Sequence, residues 1–174
     1  MLTKNFYTFM MAYMAQSTIQ GGCVLSDGTK GNTSANTSSN TSLWNTSMKS
    51  LALKDAPTSS NDAGVRIGTG TTPATIDDYT LESIITSGMT VSNPSAISVT
   101  AENGFIAVYA NYTVKNTGTS AVSISEIGLY TSGYFTGKVV PALMDRTVLE
   151  EPIVVNPGES KPLTYTIRMN YPTV

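Results

Sequence analysis

The feature that most limits the fold lies between Phe105 and Tyr130, where two β-type segments flank the turn Asn116-Thr117-Gly118-Thr119-Ser120. In the first segment Ile106, Val108, Ala110, Tyr112 and Val114 alternate with Ala107, Tyr109, Asn111, Thr113 and Lys115. A period of two is the pattern of a strand with one face buried. In the second segment Val122 and Ile124 hold one parity and Ile127 and Leu129 the other, so the phase slips near Ser125-Glu126. A β-bulge at the slip keeps one strand feeding the same core, because an inserted residue re-aims the side chains after it.

Other segments extend the pattern. Strands are expected over 81–85, 96–101, 138–147, 153–155 and 163–169. In the last, Leu163, Tyr165, Ile167 and Met169 share one face and Thr164, Thr166 and Arg168 the other. Asn156-Pro157-Gly158-Glu159 ahead of it is a turn, with Pro157 and Gly158 supplying the dihedrals. Six or seven short strands separated by turns predict an all-β, antiparallel β-sandwich of Ig-like or jelly-roll type. The expected organisation is an apolar anchor segment at 1–15 carrying a short helix, an Asn/Thr/Ser-rich extended arm at 16–62, and the sandwich at 63–174.

Composition narrows the chemistry. The chain has 174 residues, of which only 13% are charged, and its ten Lys and Arg are scattered singly around a net charge of −2. That gives no basic field for a phosphate backbone, so nucleic acid is not an expected partner. There is no histidine and a single cysteine, Cys23. Ser-His-Asp and Cys-His nucleophile systems and His/Cys zinc sites are therefore out of reach. A lone cysteine forms no internal disulfide, so folding inside a cell is the simpler expectation. Asp77, Glu102, Glu126 and Asp145 show no spacing that argues for a paired-carboxylate hydrolase. No catalytic residues, metal ligands or cofactors are expected.

At the N-terminus Phe6, Phe9, Met10, Tyr13 and Met14 fall at i, i+3, i+4, i+7 and i+8, the spacing of one helix face. The run is too short to span a bilayer and too broken by aromatics and Thr8 for a secretory signal, so no membrane partner is expected. Two readings stay open for the face: packing on the chain's own sandwich, or insertion into a neighbouring subunit. From Gln16 to about Ser60 the apolar content collapses. Asn-Thr-Ser triplets start at Asn32, Asn36, Asn40 and Asn45, matching the N-glycosylation acceptor pattern. Without a signal sequence, glycosylation is not expected. The tract cannot bury enough apolar surface to offset its ordering entropy, and a flexible arm is the expectation. Trp44, inside it, is a candidate anchor, either on the chain's own domain or on another subunit.

Gly68-Thr69-Gly70 lacks the Lys-Ser/Thr and the βαβ setting of a phosphate loop. Asp77 and Asp78 read as turn or capping residues. The loop Tyr130-Thr131-Ser132-Gly133-Tyr134-Phe135-Thr136-Gly137 is aromatic and glycine-rich. It reads either as a tight hairpin or as a surface where Tyr130, Tyr134 and Phe135 stack on sugar faces.

Three pieces in order along the chain carry a resemblance: Met1-Leu2-Thr3-Lys4-Asn5-Phe6-Tyr7; Ile67-Gly68-Thr69-Gly70-Thr71-Thr72-Pro73 running into Asp77-Asp78-Tyr79-Thr80-Leu81-Glu82; and Ile124-Ser125-Glu126-Ile127-Gly128-Leu129-Tyr130, followed by Asp145-Arg146-Thr147-Val148-Leu149 and Pro152-Ile153-Val154-Val155-Asn156-Pro157-Gly158. Together they resemble small structural proteins of tailed bacteriophages. The resemblance implies a non-enzymatic virion component, namely a capsid decoration, a head fibre, or a part of the neck or tail. It would assemble in the bacterial cytoplasm through its N-terminal segment and arm, as a homo-oligomer and with neighbouring capsid, neck or tail proteins. It also implies structural or interface roles for Glu126 and Arg146. The alternative is a carbohydrate-binding module of a tail or head fibre, with a host-surface glycan as partner.

Overall fold

The computed structural model describes residues 1–15, 18–34, 64–92, 94–135 and 138–172. Among these the chain forms a helix, α1 (Lys4–Ala15), and nine strands: β1 (Thr18–Val24), β2 (Lys30–Ser34), β3 (Gly64–Gly68), β4 (Met89–Val91), β5 (Ala96–Glu102), β6 (Phe105–Asn116), β7 (Val122–Phe135), β8 (Lys138–Val155) and β9 (Ser160–Asn170). They build an all-β antiparallel sandwich with one short N-terminal helix, as the alternation predicts.

One layer has the order β3-β7-β8. In the other, β6 is central: β9 runs along one edge, and β5 and β4 follow each other along the other. Pro94 falls between β4 and β5. Proline has no N–H to give a ladder, which accounts for the break. The core lies between the layers, with Ala110, Tyr112 and Val114 of β6 and Leu163 and Tyr165 of β9 facing Val65, Ile67, Ile124, Ile127, Leu129 and Met144.

The turn after β6 is fixed by Asn116, which is fully buried. Its Nδ2 donates to the carbonyls of Ser120 and Val155, both at 2.8 Å, and its Oδ1 accepts from the Gly118 amide at 2.8 Å. The turn at 156–159 closes as expected, with Gly158 at φ 75° and the Asn156 amide donating to Glu159 Oε2 at 2.8 Å.

The phase slip in β7 is real, but the extra residues belong to its partner. Ile124 pairs with Ile153 and Glu126 with Val148, so 149–152 of β8 bow out opposite Ser125. The two strands expected at 138–147 and 153–155 are thus one interrupted strand. After the slip Ile127 and Leu129 face the core, while Glu126, Gly128 and Tyr130 face outward beneath the 69–85 loop. A second irregularity, between Leu129 and Tyr130, sends Met144 and Asp145 inward and leaves Leu143 and Arg146 on the loop side. The strand expected over 81–85 is reduced to a bridge at Ile84 with flanking hydrogen bonds to β3.

Two expectations for the N-terminal third change. Residues 18–34, expected within a flexible arm, form the β1–β2 hairpin, and Cys23 and Leu25 from it are buried in the main core. The segment at 1–15 is not a separate anchor but closes one edge of the sandwich. Leu2 bridges Asp145, and the Thr3 amide donates to the Met144 carbonyl at 2.9 Å. Asn5 joins helix, hairpin and β8: its Nδ2 donates to the carbonyls of Val24 (2.8 Å) and Leu143 (3.1 Å), and its Oδ1 accepts from the Val24 amide. The polar sequence hid this, because side-chain-to-backbone bonds of this kind leave no apolar period to read.

Candidate functional site

Two places gather the chain's chemistry. The first is a buried ion network on the outer side of the β3-β7-β8 layer. Glu126, fully buried, accepts four hydrogen bonds. Its Oε1 takes the amides of Gly70 (3.1 Å) and Ser83 (2.7 Å), and its Oε2 takes the amide of Glu82 (3.1 Å) and Nε of Arg146 (2.9 Å). Arg146, also buried, reaches Asp78 Oδ2 with Nη1 at 2.9 Å and Glu82 Oε2 with Nη2 at 3.5 Å. The glycines follow from this. A Cβ on Gly68 would meet Glu126 Oε1 at 2.5 Å and the Ser83 carbonyl at 2.6 Å, and one on Gly70 would meet Glu82 Cβ at 2.5 Å. Gly68-Thr69-Gly70 is thus a close backbone approach to a buried carboxylate rather than a cradle for phosphate.

Two acids of the network also fold the loop itself. Glu82 accepts from the amides of Thr71 and Thr72, both at 2.9 Å, and Asp78 from the Thr75 amide at 2.9 Å. The donors of Thr72, then the Thr71 amide and Arg146, hold the Glu82 carboxyl below its ordinary range. Partial burial alone would raise Asp78, but the Arg146 guanidinium and the Thr75 donors outweigh it and pull it down. Burial would lower Arg146, and its carboxylate partners Asp78 and Glu126 turn that into a rise. A carboxylate offers about four lone-pair sites, and all four of Glu126 are engaged within the chain. The network is a latch holding the 69–85 loop on the sheet, not a site with an open proton acceptor. Among the described residues no group of three or more His, Cys, Asp or Glu side chains is arranged to hold a metal ion.

Tyr130 completes the latch. It is fully buried, accepts from the Leu81 amide at 2.7 Å, and carries Arg66 Cζ 4.4 Å from its ring centroid. Burial pushes its hydroxyl up, against the smaller opposing effect of Thr80 and Leu81. This corrects the glycan-contact expectation for Tyr130: Leu81 and Leu143 pack on it, and its polar tip is spent inside the chain. Tyr134 and Phe135 pair with Val139 and Lys138 near the tip of the β7–β8 hairpin, and their side chains lie outside the described part. On the inner side Asp145 accepts from the Tyr165 hydroxyl and pairs with the Met1 amine at 3.0 Å. Burial, reinforced by the Asp145 carboxylate, drives the Tyr165 hydroxyl well above its ordinary value.

The second place is α1. Of the five residues expected on one helix face, the four with described side chains do not stay together. Phe9 is 2% exposed in the core, Phe6 packs against that core, and Asn5 and Ala12 are buried beside them. Met14 lies about 140° around the axis from Phe9 at 3.6 residues per turn, and it is 67% exposed. Met10 is exposed at the boundary, and with Tyr7 and Met11 it completes a second apolar stripe at i, i+3, i+4 and i+7 that faces outward. The helix thus has an inner face, which is the chain's own core, and an outer face made of Tyr7, Met10, Met11 and Met14. Tyr7 and Met11 were legible from this spacing, which the aromatic-centred pattern overlooked. The side chain of Tyr13, and Trp44 altogether, lie outside the described residues.

Fold and site together define an antiparallel β-sandwich in which Asp78, Glu82, Glu126 and Arg146 hold a loop on the sheet, and whose N-terminal helix shows an apolar stripe to its surroundings. The chain matches no protein-family model, no curated protein and no solved structure.

Proposed function

We propose that this chain is a non-enzymatic structural component of a tailed-bacteriophage particle, joined to its neighbours through the outward face of α1. The observation that carries the reading is the doubled helix. One face is bonded into the sandwich through Asn5 and Phe9, while the other leaves Tyr7, Met10, Met11 and Met14 exposed. A contiguous exposed apolar stripe marks an interaction surface, and methionines fill irregular partner surfaces well. The segments 1–7, 67–73 with 77–82, and 124–130 with 145–149 and 152–158, which resemble phage structural proteins, fall at the helix start, the latched loop and the two strands that hold it. The partners are further copies of this chain and other virion proteins, with assembly in the host bacterial cytoplasm.

The test is incorporation. Particles are purified from cells making either the natural chain or Met10→Lys/Met11→Lys/Met14→Lys, and the chain is counted against the major capsid protein by quantitative peptide mass spectrometry. The natural chain appears at a fixed number per particle and the variant is lost. Particles that hold no copies of the natural chain overturn the reading. So does a fully incorporated variant.

A further inference from the structure

Four edges bound the two layers, and three of them are covered or guarded. On β3, segment 83–85 takes the outer edge: the Ile85 amide donates to the Ile67 carbonyl at 3.0 Å and the Thr69 amide to the Ser83 carbonyl at 2.8 Å. On β8, the N-terminal segment and the β1–β2 turn do the same, with the Thr3 amide donating to Met144 and the Ser26 amide to Pro141, both at 2.9 Å. The edge of β9 carries Lys161, Pro162 and Arg168, residues that discourage a further strand. The edge of β5 has no such device. Among the described residues nothing but β6 pairs with it, and its sequence Ala-Ile-Ser-Val-Thr-Ala-Glu has no Pro, Lys or Arg and one charge, at its end.

The composition of that edge says what fits it. Val99 pairs with Val108, and Ile97 with Ala110, so Ile97, Val99 and Ala101 stand on the core side of the sheet and Ser98 and Thr100 on the other. Ile97 is nevertheless 46% and Val99 68% exposed. About Val99 the stretch Ile97 to Ala101 reads the same in both directions by residue type. An antiparallel copy centred there places Val99 on Val99, Ile97 on Ala101 and Ser98 on Thr100. Directly opposed residues point to the same side of a sheet, so apolar meets apolar and hydroxyl meets hydroxyl. Glu102 falls opposite Ala96, away from its own copy, so no like charges face each other.

We infer that β5 is a self-association edge, and that a second copy of this chain adds to it by antiparallel, twofold pairing centred on Val99, making one continuous sheet across the pair. Pro94 on one side stops the pairing. On the other the two-residue turn into β6 ends the strand at Glu102, which limits the contact to about one strand's length. So short an interface falls at the small end of specific contacts, below about 1,200 Å² in total. Its association is therefore dilution-sensitive, and it strengthens where copies are held close together. This pairing follows from the edge alone and does not depend on the virion reading.

The test uses the full chain in sedimentation velocity from about 1 μM to about 1 mM, the range in which such weak contacts titrate. The natural chain passes from monomer to dimer. Val99→Lys opposes two ammonium groups at the centre, raises the dimer Kd at least about tenfold, and leaves the urea midpoint unchanged because the site is exposed. Cysteine cross-linking then reads the register. Val99→Cys puts two Cα atoms about 5 Å apart, within disulfide reach, whereas Ile97→Cys puts them four residue steps, about 14 Å, apart. Rapid cross-linking of the first and not the second is expected, with the buried Cys23 silent in both. A natural chain that stays monomeric throughout overturns the inference. A dimer indifferent to Val99→Lys does so too and moves the contact elsewhere, as does equal cross-linking at both positions or cross-linking of Val99→Cys to a different protein.

Discussion

Glu126→Ala should be among the most damaging single changes in the chain. The side chain is fully buried and receives three backbone N–H groups and the Arg146 guanidinium. Removing one member of a buried ion pair costs about 3–5 kcal/mol, because the other charge stays buried and unbalanced. Arg146 keeps Asp78, which limits that part. The amides of Glu82 and Ser83 are only partly buried and find water, but the Gly70 amide is buried and losing its acceptor adds about 1 kcal/mol or more. The expected loss is about 3–5 kcal/mol, a third or more of the stability of an ordinary domain of about 5–15 kcal/mol. Glu126→Gln keeps the volume and one acceptor oxygen but turns an NH₂ toward donors, for about 2 kcal/mol. Urea unfolding at constant m measures both. Hydrogen exchange adds a local readout, in which the amides of Gly70, Glu82 and Ser83 lose protection before the β6–β9 ladder does. A loss under about 1 kcal/mol for Glu126→Ala, the level of an average substitution, would refute the latch.

Other expectations follow from the same geometry. Tyr130→Phe removes the acceptor of the Leu81 amide and should cost about 1–2 kcal/mol in urea unfolding. Phe9→Ala opens the core and should cost about 3–5 kcal/mol, whereas Met11→Lys and Met14→Lys, on the exposed face, should stay within about 0.5 kcal/mol. Asp78 and Glu82 are held below their ordinary values of 3.8 and 4.5, so the unfolded chain takes up their protons first. Their contribution is full above about pH 5 and is lost as the pH falls through the folded values. The urea midpoint should therefore drop between about pH 5 and pH 3, and Asp78→Asn should flatten that drop.

What the sequence revealed tracks how the burial is made. Strands β6 and β9 have one apolar face each, and their alternation announced them, β6 almost to the residue and β9 without its first three residues. The slip at Ser125-Glu126 was visible because Ile124 and Ile127 cannot share a face in an unbroken strand. That the surplus lies in 149–152 of β8 was not visible, since only the pairing shows which partner carries it. The β1–β2 hairpin escaped because its sequence, with Gly21, Gly22 and Gln20, has no clean period, and its hold on the body runs through Asn5 and two buried side chains, Cys23 and Leu25, too few to read as a stripe. The latch escaped for another reason. Asp78, Glu82, Glu126 and Arg146 meet only after β7 and β8 pair, and nothing in their spacing foretells it. The glycines at 68 and 70 were a trace of it, standing where a Cβ would strike Glu126.

The account rests most on the outward face of α1 as an assembly surface, and one measurement addresses it directly. Purified particles carrying the natural chain or the Met10→Lys/Met11→Lys/Met14→Lys variant are compared for copy number by peptide mass spectrometry, alongside the urea midpoint of each free chain. A constant number of natural copies per particle, almost none of the variant, and equal midpoints are expected. A variant that folds as well and is incorporated as fully, or particles with no copies of the natural chain at all, would contradict it.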